Sequence, residues 1–173
     1  MTDLNTNLIQ LTEQLATLCL RKNKMLAVAE SCTGGGLSYY LTAVAGSSKW
    51  FDRGFVTYSG EAKQDLLDVP ADLLKKYGEV SAQTAKAMVE GVFSHSKADY
   101  ALSITGIAGP TGGTSDKPNG FVWFAWGERN VDIFTQNKTF TGNRAAVRLA
   151  SIEFALKCLI ELLDIDHYIR KIP

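Results

Sequence analysis

A short apolar segment that ends in a hydroxyl, a thiol and three glycines constrains the fold of this chain more than any other feature. Residues 25–29 are apolar and predict a buried strand, whereas the apolar spacing of residues 37–44 predicts a packed helix. The letters ESCTGGG at positions 30–36 join the two. A strand that turns through glycines directly into a helix is typical of an α/β domain.

The same junction has the layout of a site for a nucleophile. Ser31 would lie at the end of the strand, and the backbone N–H groups near Thr33 and Gly34 would be unpaired at the positive end of the helix. Such an end stabilises an anion, including the oxyanion of an acyl-transfer intermediate. We therefore predict a nucleophilic Ser31, with a simple helix N-cap as the alternative.

A second strand-to-helix junction, over residues 54–63, supplies a candidate base. Lys63 falls in the first turn of the predicted helix, where the helix dipole disfavours a positive charge and so favours the neutral amine. If the two strand ends are neighbours in one sheet, Lys63 can take the proton of Ser31. The alternative is a solvated surface lysine, the common state of this residue.

Five stretches resemble the CinA C-terminal domain family, which is known as nicotinamide mononucleotide deamidase. In chain order they read AESCTGGG, AGSSKWFDRGFVTYSGEAK, YGEVSAQTA, SITGIAGPTGG and KPNGFVWFAW. The resemblance runs from about residue 8 to about residue 163. It implies hydrolysis of the carboxamide of nicotinamide mononucleotide to nicotinic acid mononucleotide and ammonia. It also implies a Ser/Lys acyl-enzyme mechanism that needs no metal and no cofactor.

The resemblance also assigns roles by position. It implies that Ser31 is the nucleophile and Lys63 the base, and that Tyr58 and Thr105 are polar residues of the same site. The chain departs from the family at Gly60, where Asn is frequent. Capping of the helix that carries Lys63, and hence the placement of Lys63, is therefore open.

A third glycine-rich segment, residues 105–114, follows another predicted strand. It lacks the GK[ST] ending of a Walker loop, and the chain has no GxGxxG motif. Glycine lets backbone N–H groups approach a ligand closely, so Gly106 and Gly109 are candidate substrate-binding residues. The alternative is a flexible surface loop.

Recognition of a phosphate requires a local cation. Arg144 begins the last predicted helix, and a guanidinium at a helix N-terminus suits a nucleotide monophosphate. Arg148 lies four residues on, on the same face. Gly46, Ser47 and Ser48 are further candidates for binding phosphate or ribose, although they could equally form a turn or a helix cap.

Strands and helices alternate along the rest of the chain. The sequence predicts an amphipathic helix before Asn23, a helix over 82–93 capped by Ser81, strands at 100–104 and 121–126, an edge strand at 131–140 and a closing helix through 163. Helices before and after a mixed, mostly parallel sheet predict a three-layer α/β/α sandwich. We expect one domain over residues 1–173.

Charge and hydropathy narrow the function classes. The chain has 18 basic and 18 acidic residues, which gives no basis for binding nucleic acid or an anionic membrane. No apolar run approaches the roughly 20 residues that span a bilayer, and the N-terminus lacks the layout of a signal peptide. We expect a cytoplasmic protein with a small-molecule substrate.

The sequence gives less support to other catalytic groups than to Ser31 and Lys63. Cys32 is adjacent to Ser31, but a cysteine hydrolase requires a histidine base, and the two histidines are His95 and His167. The SxxK spacing at residues 94–97 lacks the companion SDN and KTG motifs. Three widely spaced cysteines and two histidines predict free thiols and no zinc site.

Two questions stay open at the level of sequence. A catalytically silent, nucleotide-binding paralogue of the family is the alternative function, although Ser31 and Lys63 argue against it. The oligomeric state is not encoded in any motif. Residues 164–173 could cross to a partner chain in a homodimer.

Overall fold

The core of the fold is a five-stranded sheet. A computed structural model of the chain describes residues 5–169, with side chains through residue 164, so the predicted crossing of the C-terminal tail lies outside the described side chains. The sheet has the order β2-β1-β3-β4-β5. Its strands are β1 (Leu26–Glu30), β2 (Phe51–Val56), β3 (Tyr100–Gly106), β4 (Phe121–Glu128) and β5 (Phe134–Thr139). β1 is parallel to β2 and β3, whereas β4 and β5 are added antiparallel, which confirms the predicted mixed sheet.

Helices cover both faces of the sheet. They are α1 (Thr6–Lys22), α2 (Gly36–Ala43), α3 (Gly60–Leu67), α4 (Ala71–Tyr77), α5 (Ala82–Ser94) and α6 (Arg144–Ile169). Because side chains alternate across a strand, Leu26 and Val28 pack with α1, α2 and α6, whereas Ala27 and Ala29 pack with α3 and α5. Two apolar cores on opposite faces confirm the α/β/α sandwich.

Local sequence signals explain several element ends. Ser81 caps α5, because its Oγ accepts a hydrogen bond of 3.2 Å from the N–H of Thr84, as predicted. Glycine lets α3 and α5 lie close together, since a Cβ on Gly91 would collide with the carbonyl of Leu67. No helix within residues 5–169 is long and apolar enough to cross a membrane.

The carboxyl ends of the three parallel strands meet at one edge of the sheet. Glu30, the last residue of β1, is paired with Val56 of β2 and with Ile104 of β3. The next N–H along β1, that of Ser31, donates to the carbonyl of Ile104 at 2.9 Å, and the N–H of Thr57 donates to the carbonyl of Glu30 at 2.8 Å. The segments that follow the three strands are therefore neighbours, as expected at the ends of parallel strands.

Candidate active site

Ser31 lies in a tight turn between β1 and α2. Its carbonyl accepts a hydrogen bond of 3.0 Å from the N–H of Gly34, and its side chain is buried. Gly34 and Gly35 have φ angles of 57° and 88°, a left-handed conformation that strains any residue with a Cβ. The glycines are therefore required for the turn, and α2 begins only at Gly36.

The helix end beside Ser31 is not open to a substrate anion. The buried carboxylate of Glu30 accepts hydrogen bonds from the N–H of Leu37 at 3.0 Å, from the N–H of Ser38 at 2.8 Å and from the Ser38 hydroxyl at 2.7 Å. The carboxylate of Glu30 therefore occupies N–H groups in the first turn of α2 and offsets the positive end of this helix. Glu30 directly precedes Ser31 in the sequence, and its acidic side chain was the signal that sequence reasoning missed.

The backbone groups of the two residues predicted to bind substrate at this turn are bonded to other parts of the protein. The N–H of Gly34 is committed to the Ser31 carbonyl. Thr33 is fully buried, and its carbonyl accepts a hydrogen bond of 2.7 Å from Nη2 of Arg148. Neither residue lines the cavity described below. Arg148 therefore stabilises the turn through the backbone of Thr33.

Lys63 reaches Ser31 from the neighbouring strand end. Its amine nitrogen Nζ lies 3.3 Å from Oγ of Ser31, 3.0 Å from the carbonyl of Thr57, 3.4 Å from the carbonyl of Ser59 and 3.1 Å from Oε2 of Glu79. The side chain of Lys63 has 0% exposure. The structure thus brings the predicted nucleophile and the predicted base into contact.

The partners of this amine differ in kind. The two carbonyl oxygens and the carboxylate of Glu79 accept hydrogen bonds from Nζ, whereas the Ser31 hydroxyl can both accept and donate one. Four polar groups therefore surround Nζ of Lys63, and one of them is the predicted nucleophile.

The glycine at position 60 does not displace Lys63. Ser59 caps α3, because its Oγ accepts a hydrogen bond of 3.1 Å from the N–H of Ala62. A Cβ on Gly60 would lie 3.4 Å from Oε1 of Glu79. The departure from the family pattern therefore changes the surroundings of Glu79, and Lys63 still reaches Ser31.

A cavity of about 210 Å³ opens in front of Ser31. It is lined by Ser31, Cys32, Tyr58, Glu79, Val80, Thr105, Gly106, Ile107, Ala108, Gly109, Thr111 and Arg144. Six of the predicted site residues line this space, namely Ser31, Tyr58, Thr105, Gly106, Gly109 and Arg144. Lys63 is not part of the lining but contacts Ser31. The glycine-rich loop after β3 therefore forms one wall of the cavity.

Thr105 is hydrogen-bonded to the segment that carries Glu79. Its hydroxyl donates a hydrogen bond of 2.7 Å to the backbone carbonyl of Glu79. Thr105 therefore holds this segment in place. Glu79 was not among the predicted site residues, although it lies in one of the family-like stretches, YGEVSAQTA.

Arg144 and Tyr58 meet at the mouth of the cavity. Nη2 of Arg144 donates to the Tyr58 hydroxyl at 2.6 Å, and Nη1 donates to the carbonyl of Gly109 at 3.0 Å. Arg144 is the first residue of α6, as predicted. These contacts join the loops after β2 and β3 to the start of α6 on the open side of the site.

The predicted residues Gly46, Ser47 and Ser48 lie at the opposite end of the sheet. The short 3-10 turn that contains both serines precedes β2, and the carbonyl of Trp50 accepts a hydrogen bond of 2.8 Å from the N–H of Leu26 at the start of β1. Ser31 follows the end of that strand, and five residues of strand span roughly 17 Å. Gly46, Ser47 and Ser48 therefore lie far from Ser31 of the same chain, and they do not line the cavity.

The rival nucleophile is held in its protonated form. Cys32 lines the cavity, but burial raises the pKa of its thiol to about 12. His95 pairs with Asp68 beyond the C-terminal end of α3 and does not line the cavity. The segment 94–97 with the SxxK spacing begins at the last residue of α5 and is likewise absent from the lining.

The chain is similar to known proteins over most of its length. A family model described as the CinA C-terminal domain matches residues 8–163. The chain is 43% identical over 159 residues to a protein of Escherichia coli strain K12 named nicotinamide-nucleotide amidohydrolase PncC, covering 92% of this chain and 95% of the relative. It is 44% identical over 142 residues to a protein of the same name from Pseudomonas putida, covering 82% of this chain and 88% of the relative.

Solved structures show the same fold. The competence/damage inducible protein CihA from Agrobacterium tumefaciens has a TM-score of 0.90 at 40% identity and covers 94% of this chain and 99% of its own. A CinA superfamily protein from Klebsiella pneumoniae 700603 has a TM-score of 0.87 at 39% identity, with 91% and 98% covered.

Proposed function

The chain belongs to the CinA C-terminal domain family, and on this premise we propose that it is an amidohydrolase that converts nicotinamide mononucleotide to nicotinic acid mononucleotide and ammonia. Relatives that are 43% and 44% identical carry the name nicotinamide-nucleotide amidohydrolase. The observation that carries the proposal is the 3.3 Å contact between Nζ of Lys63 and Oγ of Ser31 at the inner end of a cavity. A buried amine beside a serine hydroxyl is the arrangement that acyl transfer by a Ser/Lys pair requires.

Acylation begins at Ser31. Neutral Lys63 takes the hydroxyl proton as Oγ attacks the carboxamide carbon, and the ammonium that forms then gives its proton to the departing nitrogen, which leaves as ammonia. The acyl group remains as an ester on Oγ. Water then attacks this ester with Lys63 again as base, and the nicotinic acid product leaves as a carboxylate.

The oxyanion of each tetrahedral intermediate needs a donor other than the start of α2. We assign this role to the N–H of Cys32, because Cys32 directly follows Ser31 in the chain. Cys32 also lines the cavity. One such donor is worth about 3 to 4 kcal/mol of transition-state stabilisation.

The nucleotide phosphate belongs at the mouth. The cavity of about 210 Å³ is smaller than the roughly 300–1,000 Å³ of sites that enclose a drug-sized ligand, so part of the nucleotide extends beyond it. Arg144 stands there and has N–H groups beyond the two that contact Gly109 and Tyr58. It is the residue that we expect to bind the phosphate.

The deciding experiment is the incubation of the pure protein with nicotinamide mononucleotide in the presence of EDTA, with ammonia measured over time. Release of ammonia in step with nicotinic acid mononucleotide is the expected result. A protein that binds the mononucleotide but releases no ammonia would instead be the silent paralogue that the sequence left open.

A further inference from the structure

Glu79 joins the buried amine of Lys63 to the open cavity. Its Oε2 lies 3.1 Å from Nζ of Lys63, and its side chain is 49% exposed, whereas the side chain of Lys63 is 0% exposed. Glu79 also lines the cavity. Its backbone is held by the hydroxyl of Thr105, which donates to the Glu79 carbonyl at 2.7 Å.

We propose that Glu79 is a positioning residue that contacts Lys63, which in turn contacts Ser31, and that it stabilises the ammonium that forms on Lys63 during the reaction. This inference rests on the proposed function, because it concerns the base of that reaction. It adds a carboxylate to the Ser/Lys pair in the place that aspartate takes in a Ser-His-Asp triad.

Charge compensation is the first argument for this role. When Lys63 takes the proton of Ser31, a positive charge forms on a nitrogen that has no contact with solvent. A buried charge is costly unless it is paired and hydrogen-bonded. The other acceptors around Nζ of Lys63 include the backbone carbonyls of Thr57 and Ser59, which carry no charge. Among the described residues, Glu79 is the charged group in contact with Nζ.

Orientation is the second argument. An amine on a four-carbon stem can rotate, and the lone pair is useful only when it faces Oγ of Ser31. Among the acceptors around Nζ, the carboxylate of Glu79 is the one that carries a charge, so its hydrogen bond of 3.1 Å restrains the rotation of the amine more strongly than the carbonyls of Thr57 and Ser59 do. Thr105 fixes the backbone of Glu79 and thereby helps to hold the carboxylate near Lys63.

The proton balance keeps Glu79 ionised throughout. In acylation the O–H bond of Ser31 breaks, an N–H bond forms on Lys63, and the same nitrogen then donates a proton to the leaving ammonia. In deacylation the proton comes from water to Lys63 and passes to Oγ of Ser31 as the ester breaks. Glu79 takes up no proton in either half and acts through its charge and its hydrogen bond.

The test is a comparison of Glu79→Gln, Glu79→Asp and Glu79→Ala in the ammonia assay. We expect Glu79→Gln to lower kcat on the order of 10- to 100-fold, less than the loss of the base itself, with KM changed by less than about threefold. Glu79→Asp, which keeps the charge on a shorter stem, should recover part of kcat. Added formate should raise the rate of Glu79→Ala in proportion to its concentration, because the position is half exposed and can admit a small carboxylate.

Matched controls separate this role from a structural one. Glu61→Gln makes the same change at an exposed carboxylate in the first turn of α3 and should leave kcat unchanged. Wild-type kcat in Glu79→Gln would overturn the inference, and so would a loss in Glu79→Ala that formate does not relieve. Ser31→Ala and Lys63→Ala are measured in parallel. If both of those remain active, the Ser/Lys mechanism fails and with it the role of Glu79, whereas a wild type that releases no ammonia would overturn the proposed function itself.

Discussion

The amine of Lys63 and the hydroxyl of Ser31 are 3.3 Å apart although the two residues are separated by 32 positions in the chain. The contact exists because β1 and β2 are adjacent and parallel, so that the residues following the two strands meet at one edge of the sheet. Each residue alone is common in proteins. Their contact at the end of a cavity is what makes a chemical prediction possible.

Substitution of the nucleophile should separate binding from turnover. Ser31→Ala removes the attacking oxygen but leaves the cavity and Arg144 in place, so we expect kcat to fall by at least about 10³-fold while the mononucleotide still binds. Ammonia release measures the first quantity and calorimetry the second. An active Ser31→Ala would transfer the nucleophile to another group.

Substitution of the base should show that charge alone is insufficient. Arginine keeps a positive charge but cannot give up its proton in a protein, so Lys63→Arg should be as inactive as Lys63→Ala. Steady-state rates at neutral pH for both variants provide the test. Substantial turnover by Lys63→Arg would rule out the Ser/Lys mechanism, and Tyr58 would then be the first alternative base to examine.

The thiol of Cys32, next to Ser31 in the chain, should be unreactive over the working pH range. Burial raises the pKa of Cys32 to about 12, so the thiolate fraction at pH 8 is only about 10⁻⁴ and grows only as the pH rises toward 12. We expect Cys32→Ala to retain activity and iodoacetamide at pH 8 to leave the wild type active. Rapid inactivation that Cys32→Ala abolishes would show a reactive thiol at the site.

Removal of the cation at the mouth should weaken phosphate recognition selectively. Arg144→Ala should raise KM for nicotinamide mononucleotide far more than for the riboside without phosphate, because only the mononucleotide loses a charge-assisted contact. Arg53→Ala is the matched control, since Arg53 contacts Asp52 and the carbonyl of His95 outside the cavity. Equal losses on both substrates would instead assign Arg144 to the structure of the mouth.

The sequence by itself determined the local architecture and the chemistry available to it. Apolar periodicity marked the strands and helices, the glycines marked the turn after β1, and Ser81 marked the start of α5. Ser31 and Lys63 were identified because each follows a strand and precedes or begins a helix. Such features depend on backbone preferences and side-chain spacing within a few residues, which a sequence states directly.

Only the tertiary structure decided which polar groups form hydrogen bonds with one another. The carboxylate of Glu30 occupies the start of α2, the carboxylate of Glu79 contacts Lys63, and Ser47 and Ser48 lie at the far end of the sheet. Hydrogen bonds between residues distant in the chain depend on strand order and on competition among many donors and acceptors. Neither is encoded in local spacing, which is why the contacts of Glu30 and Glu79 were missing from the sequence-based prediction.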